Sequence, residues 1–244
     1  MFKKLFARLG VGSASVDAVL TTEYFEPGGL VEGRVEIKAG EVEQEVAAIT
    51  IKLMTIAERE SDDESEELNH TIASHKVADA LLLKPGENRE VPFSFPLHME
   101  TPVTVLDVGK NHCKVWLETA LDIELALDPT DRDYLNVHPT PVMQHLITAM
   151  IDKGFKMVKA DVEEGFLNGG SYTSESGCYQ EIEFKPKAFF SGVREVEISF
   201  VPQADCTHVL IELNRTFAGD GYRSLTLANS ADLAEVKESL ASLM

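Results

Sequence analysis

The chain has 244 residues, an apolar fraction of 44%, and 41 acidic against 22 basic residues, for a formal charge of −19. That length is enough for two domains that each bury a core; the charge repels nucleic-acid phosphates, and no apolar run approaches the roughly 20 residues of a membrane-spanning helix. Cys113, Cys178 and Cys206 are widely spaced with no Cys-x-x-Cys pair, so neither a disulfide framework nor a thiolate zinc site is expected, and a reducing cytoplasm fits best.

At the start, Phe2, Leu5, Phe6 and Leu9 fall on one helical face while Lys3, Lys4 and Arg8 fall mostly on another. This predicts a short amphipathic helix folded onto its own domain. The alternative is a weak anchor on an anionic membrane; the first reading is preferred because one short helix buries little area. Arg8 interrupts the apolar stretch, so no export signal is expected.

From Ser15 the spacing changes to strands and turns. A segment near Val16 to Phe25 turns at Pro27, Gly28 and Gly29, and Val31, Gly33, Val35 and Ile37 then share a face. After a turn at Ala39 to Glu43, Ala47, Ile49, Ile51 and Leu53 alternate with Ala48, Thr50, Lys52 and Met54. The run Glu58 to Glu67 is too charged for a core and reads as an exposed hairpin tip, with a strand around His70 to Val77 returning from it. Lys84-Pro85-Gly86-Glu87 is turn chemistry; Val91, Phe93, Phe95 and Leu97 alternate after it, and Pro92 and Pro96 predict an edge or a bulge.

The clearest alternation is Lys114 to Asp128, where Val115, Leu117, Leu121, Ile123, Leu125 and Leu127 oppose Glu118, Asp122, Glu124 and Asp128. It predicts a long strand with one buried face in an antiparallel sandwich. A boundary follows at Val137 to Pro141, where Thr140 is a candidate cap, Pro141 suits the first helical position, Gly154 suits the end, and Val142, Leu146, Ile147, Met150 and Ile151 form the apolar side. The second half repeats the pattern over Lys156 to Val162, Ile182 and Phe184, Val196 to Phe200, and Val209 to Leu213. Gly169-Gly170-Ser171 and Gly219-Asp220-Gly221 read as loops. Asp232 and Glu235 form a capping pair for a last helix carrying Leu233, Val236, Leu240 and Leu243. The expected fold is all-β: two antiparallel β-sandwich domains, residues 1–138 and 139–244, with short helices at the N-terminus, the linker and the C-terminus.

The segment Phe25-Glu26-Pro27-Gly28-Gly29-Leu30-Val31-Glu32-Gly33-Arg34-Val35 resembles the strand-turn-strand opening of arrestin-like domains. The Trp116 to Leu127 strand and the exit Asp131-Arg132-Asp133-Tyr134-Leu135-Asn136-Val137-His138-Pro139 resemble the bacterial sporulation-control family known as stage zero M. Met1 to Leu5, Cys178 to Pro186 and Leu210 to Arg215 are similar in order, so the resemblance spans nearly the whole chain. It implies two arrestin-like sandwich domains, no catalytic residues, and regulation through protein contacts.

A search for chemistry leads the same way. Cys113 has His112 beside it, but neighbours on a strand point to opposite faces. His70 and His75 have opposite parity on one strand, which disfavours zinc. Asp128, Asp131 and Asp133, with Glu124 nearby, offer hard oxygen ligands without the spacing of a calcium loop. Gly10-Val11-Gly12 follows a helix and precedes a strand, the reverse of a nucleotide fingerprint. Asp122 and Glu124 share a face, as a carbohydrate-processing cleft would need, but nothing else selects them. No cofactor, metal or catalytic residue is therefore expected. The expected function is regulation or scaffolding through other proteins, with Glu58, Glu60, Asp62, Asp63, Glu64, Glu66 and Glu67 as candidate contacts and Phe2, Leu5, Phe6 and Leu9 as the candidate docking or membrane helix.

Overall fold

A computed structural model describes residues 14–60, 65–123, 128–170, 172–187, 192–215 and 221–243, the side chain of Glu60 excepted. The predicted helix at residues 2–10 lies outside the described residues.

Three strands, β1 (Ser15–Leu20), β2 (Leu30–Lys38) and β6 (Asn88–Pro96), form a small antiparallel sheet in the order β1-β2-β6. Pro92 and Pro96 lie on β6, whose only strand partner among the described residues is β2, as expected of residues with no N–H to give a second neighbour. Val31, Val35 and Ile37 are buried on one face of β2. Gly33 sits among them because an added Cβ would meet the Val19 carbonyl oxygen at 2.5 Å and the Phe93 ring at 2.8 Å.

The larger sheet contains β3 (Gln44–Glu60), β4 (Ser65–Ala78), β5 (Leu81–Leu83), β7 (Lys110–Asn111), β8 (Val115–Ile123), β9 (Thr130–Tyr134), β10 (Phe155–Glu164), β11 (Cys178–Pro186), β12 (Val193–Pro202), β13 (Cys206–Arg215) and β14 (Gly221–Ala228). Its order is β14-β13-β12-β11-β10-β3-β8-β9, with β4 and β5 on β3 and β7 on β10. Pairing is antiparallel except where β10 meets β3, at Glu163 and Glu58, and β7, at Lys159 and Lys110. The sheet thus runs from the first half into the second, and the buried apolar cluster is likewise continuous, from Ala14 to Leu240.

Bulges displace several expected side chains. The β3–β8 register slips between Val46 and Ala48, which leaves Ala47 exposed and not on the face of Ile49. On β4 the extra residue Ile72 lies between Thr71, opposite Met54, and Ala73, opposite Leu53. It therefore turns His70 and His75 to the same side, opposite Thr55 and Ile51, against the parity reading. The strand expected over Lys114 to Asp128 is described only as Val115–Ile123, with Leu125 and Leu127 outside the described residues. It is buried on both faces at Trp116, which packs with Tyr134 under the Arg132 guanidinium, 4.5 Å from the ring centre.

Helix α1 (Pro141–Asp152) packs against β10 and against α2 (Leu233–Ala241). Thr140 occupies the N-cap, but its hydroxyl makes no capping hydrogen bond; Pro141 alone fits the first turn by its fixed φ. Val142, Leu146, Ile147 and Met150 are buried, whereas Ile151 is exposed. The cap of α2 is as expected: the Asp232 carboxylate accepts from Ala234 and Glu235 N–H, and Glu235 accepts from Asp232 N–H. Gly221, read as part of a loop, instead opens β14, which pairs with β13 along its length.

Candidate interaction site at the junction of the two halves

Residues 98–103, β3, β4 and β7 carry the first half onto the second. The Glu100 carboxylate accepts the backbone N–H groups of Glu175, at 2.9 Å, and Ser176, at 2.8 Å. Gln180, buried on β11, imitates a strand backbone: its Nε2 donates to Val103 O at 2.8 Å and its Oε1 accepts from Val103 N at 3.0 Å. The His70 ring meets the Ser176 carbonyl oxygen at 2.8 Å.

Beside these contacts lies a cleft of about 600 Å³. Ala73, Pro96, Leu97 and Met99 of the first half and Pro202 of the second make its apolar wall, and His98, Glu100, Thr173, Glu175 and Gln203 supply polar groups. Gly28 also lines it. Its φ of +75° suits glycine, and a Cβ there would collide with the Met99 sulfur. His75 stacks on Phe95 with centroids 4.0 Å apart, and its buried Nε2 has no hydrogen-bond partner. Burial accordingly lowers the pKa of this imidazole.

The acidic run is not simply a solvated tip. Glu58 bridges to Glu163 on β10, and the next residue, Arg59, donates Nη2–H to Glu164 Oε1 at 2.8 Å. Arg59 holds the Glu164 carboxyl below its ordinary pKa. Glu66 and Glu67 are exposed on β4, and Glu60 continues the strand pairing opposite Ser65. Asp62, Asp63 and Glu64 lie outside the described residues, as do Phe2, Leu5, Phe6, Leu9 and Glu124.

Among the described residues, two acid groups could offer oxygen ligands to a cation. Asp131 and Asp133 on β9 converge with Asp17 on β1, their ligand atoms within 4.8 Å of one another. Burial, and then Asp131, pushes Asp133 up to about 7. Asp128 is not in this group; its carboxylate accepts the Ile123 N–H at 3.0 Å. The second group is Glu58, Asp161 and Glu163, in which Asp161 is also ion-paired with Lys159. Asp122 is exposed on β8.

An acidic face continues across β11 to β13. Glu183, Glu197 and Glu212 stand in one register row, and Lys185 bridges Glu183 at 2.6 Å and Glu195 at 3.1 Å. Glu181 is pushed up to about 8 by burial and then by Glu197, and Glu197 to about 7 by burial and then by Glu195. Cys113 and Cys178 are buried, and burial drives their thiols up to about 12 and about 11. Cys113 contacts the Gln180 amide at 2.9 Å. The residues that join the halves escaped the reading of the sequence, because nothing local marks Glu100 or Gln180 as partners of segments more than seventy residues away.

No described helix is long and apolar enough to cross a membrane. A crystal structure of the sporulation-control protein Spo0M from Bacillus subtilis superposes with a TM-score of 0.83 at 27% identity, covering 96% of this chain and 98% of that one. It gives the described strands an arrestin-like architecture. In sequence, the chain is 32% identical to the sporulation-control protein spo0M of Bacillus subtilis (strain 168) over 220 residues, 89% of this chain and 82% of that protein. The model of the family described as SpoOM protein matches residues 2–217, and the chain belongs to that family.

Proposed function

We propose that the chain is a non-catalytic, cytoplasmic regulator of the sporulation-control type, which works by docking a segment of another protein at the junction of its halves. The observation that carries this reading is the cleft of about 600 Å³ whose apolar wall is drawn from both halves. A partner seated there would touch Leu97 and Met99 on one side and Pro202 on the other, and so would sense how the halves are set. Residues 1–138 and 139–244 are taken as the two arrestin-like units. The partner's chemistry follows from the surroundings: a basic segment with an apolar anchor complements a chain of net charge −19 whose Glu66 and Glu67 stand exposed on the strand that carries Ala73 and His75 into the cleft. Membership of the family and the likeness to a sporulation-control protein support the regulatory role.

Photo-crosslinking in cytosol tests the docking site. A photoreactive residue at Thr173, exposed on the rim of the cleft, should capture a discrete partner, and one at Glu67 should capture the same partner less efficiently. A partner captured at Glu67 but not at Thr173 would move the site to the hairpin and overturn the cleft. Expression in Bacillus subtilis lacking its own relative should restore sporulation frequency if the regulatory role is shared.

A further inference from the structure

Cys206 opens β13 and His208 follows two residues later, so both side chains stand on the same side of the strand. Cys206 Sγ lies 3.7 Å from His208 Nε2. The ring is held on its other sides: Nδ1 meets Thr226 Oγ1 on β14 at 2.8 Å, and Tyr172 stacks on its face with centroids 4.3 Å apart and planes within 8°. His208 is only 8% exposed, whereas Cys206 is partly open to solvent.

This is the order of groups that activates a nucleophile: a thiol, a base within reach of it, and a third group that orients the base. When Nδ1–H donates to Thr226, the lone pair of Nε2 faces the thiol. Once the ring has taken the thiol proton, acceptors surround both nitrogens, namely Thr226 Oγ1 on one side and the thiolate with Gln203 Oε1, 3.3 Å from Nε2, on the other. The remaining thiols serve as internal controls, since Cys113 is 6% exposed and Cys178 is 0% exposed, and neither has an imidazole partner among its described hydrogen bonds.

We propose that Cys206 is a site of reversible S-thiolation by small-molecule disulfides, with His208 as the base that draws off its proton. The Cys206 thiolate attacks one sulfur of the incoming disulfide. A new S–S bond forms to Cys206, the old S–S bond breaks, and the departing thiolate recovers the proton from His208, so one thiol and one disulfide are consumed and one of each is made. The disulfide is the oxidant, and a reducing thiol reverses the step.

The test uses the full chain with glutathione disulfide as the probe, followed by intact mass and peptide mapping. A single adduct at Cys206 is expected, forming at least about ten times faster in the folded chain than at the same thiol in denaturant. Cys113 and Cys178 should be labelled only after unfolding. His208→Gln should bring the folded rate down to the denatured one, and Thr226→Val should lower it by less. The comparison of folded with denatured wild type needs no variant, so it stands even if His208→Gln fails to fold. A folded rate equal to the denatured rate, an adduct at Cys113 or Cys178 in the folded chain, or a folded His208→Gln protein that reacts as fast as wild type would each overturn the proposal.

Discussion

Arg59 and Glu164 stand side by side where β3 meets β10, each one residue beyond the bridging pair Glu58 and Glu163, with Arg59 Nη2 2.8 Å from Glu164 Oε1. The guanidinium pairs with Glu164, and Glu66 on β4 adds a second negative charge to its surroundings. Arg59→Glu should lower the thermal midpoint, less so in molar salt because the pair is exposed. Glu164→Arg in the same chain should restore most of the loss. An unchanged midpoint in the single variant would mean that the backbone bridge holds the crossing without the ion pair.

Glu181 and Glu197 predict an unusual dependence on pH. Their folded pKa values, about 8 and about 7, lie above the ordinary carboxylate value, so the folded chain holds protons that the unfolded chain has released. Their contribution to stability is therefore fully present below the unfolded value and is lost as pH rises through about 8. The thermal midpoint should fall between acid and mildly alkaline buffer. Glu181→Gln should flatten that fall and raise the midpoint at the alkaline end by about 2–4 °C. Equal slopes for wild type and variant would contradict the assignment.

Gly33→Ala is expected to cost about 2 kcal/mol or more, because the methyl meets a backbone carbonyl on one side and the Phe93 ring on the other, in the middle strand of the small sheet. Denaturant unfolding should show it as a lower midpoint with an unchanged slope.

The two helix starts should respond differently to loss of the side chain. Asp232→Ala removes two capping hydrogen bonds and should cost about 1 kcal/mol. Thr140→Ala removes a buried hydroxyl that has no partner and should change stability by less than about 0.5 kcal/mol. Chemical denaturation of the two variants in parallel distinguishes a working cap from one that only matches the sequence pattern.

Much of the sheet was legible because alternation is a local signal. Val31, Val35 and Ile37, Phe93 and Phe95, and Val115, Leu117 and Leu121 are buried as their spacing requires, and Pro92 and Pro96 mark an edge. Single-residue bulges were not legible: Ala47 and Ile72 each fit an unbroken alternation, and only pairing with a neighbouring strand shows the extra residue. β14 escaped because Tyr222, Arg223 and Ser224 face solvent, leaving Leu227 as its one fully buried apolar residue. The cleft was illegible for a different reason, since its walls lie about a hundred residues apart in the chain. Cys206 and His208 could have been found: the parity rule that separates His112 from Cys113 places residues two apart on one face.

The 17 residues of β3 measure about 55 Å end to end at the usual rise per residue. One unbroken strand therefore pairs with β8 from Val46 to Thr55 and reaches β10 at Glu58, near its end, as a splint projects past a joint. At that joint the strand pairing of β3 with β10 rests on one bridge, Glu58 with Glu163, whereas its ladders to β4 and β8 lie wholly within the first half. A load across the joint should accordingly be felt first at the β3–β10 bridge and last within the β3–β8 ladder.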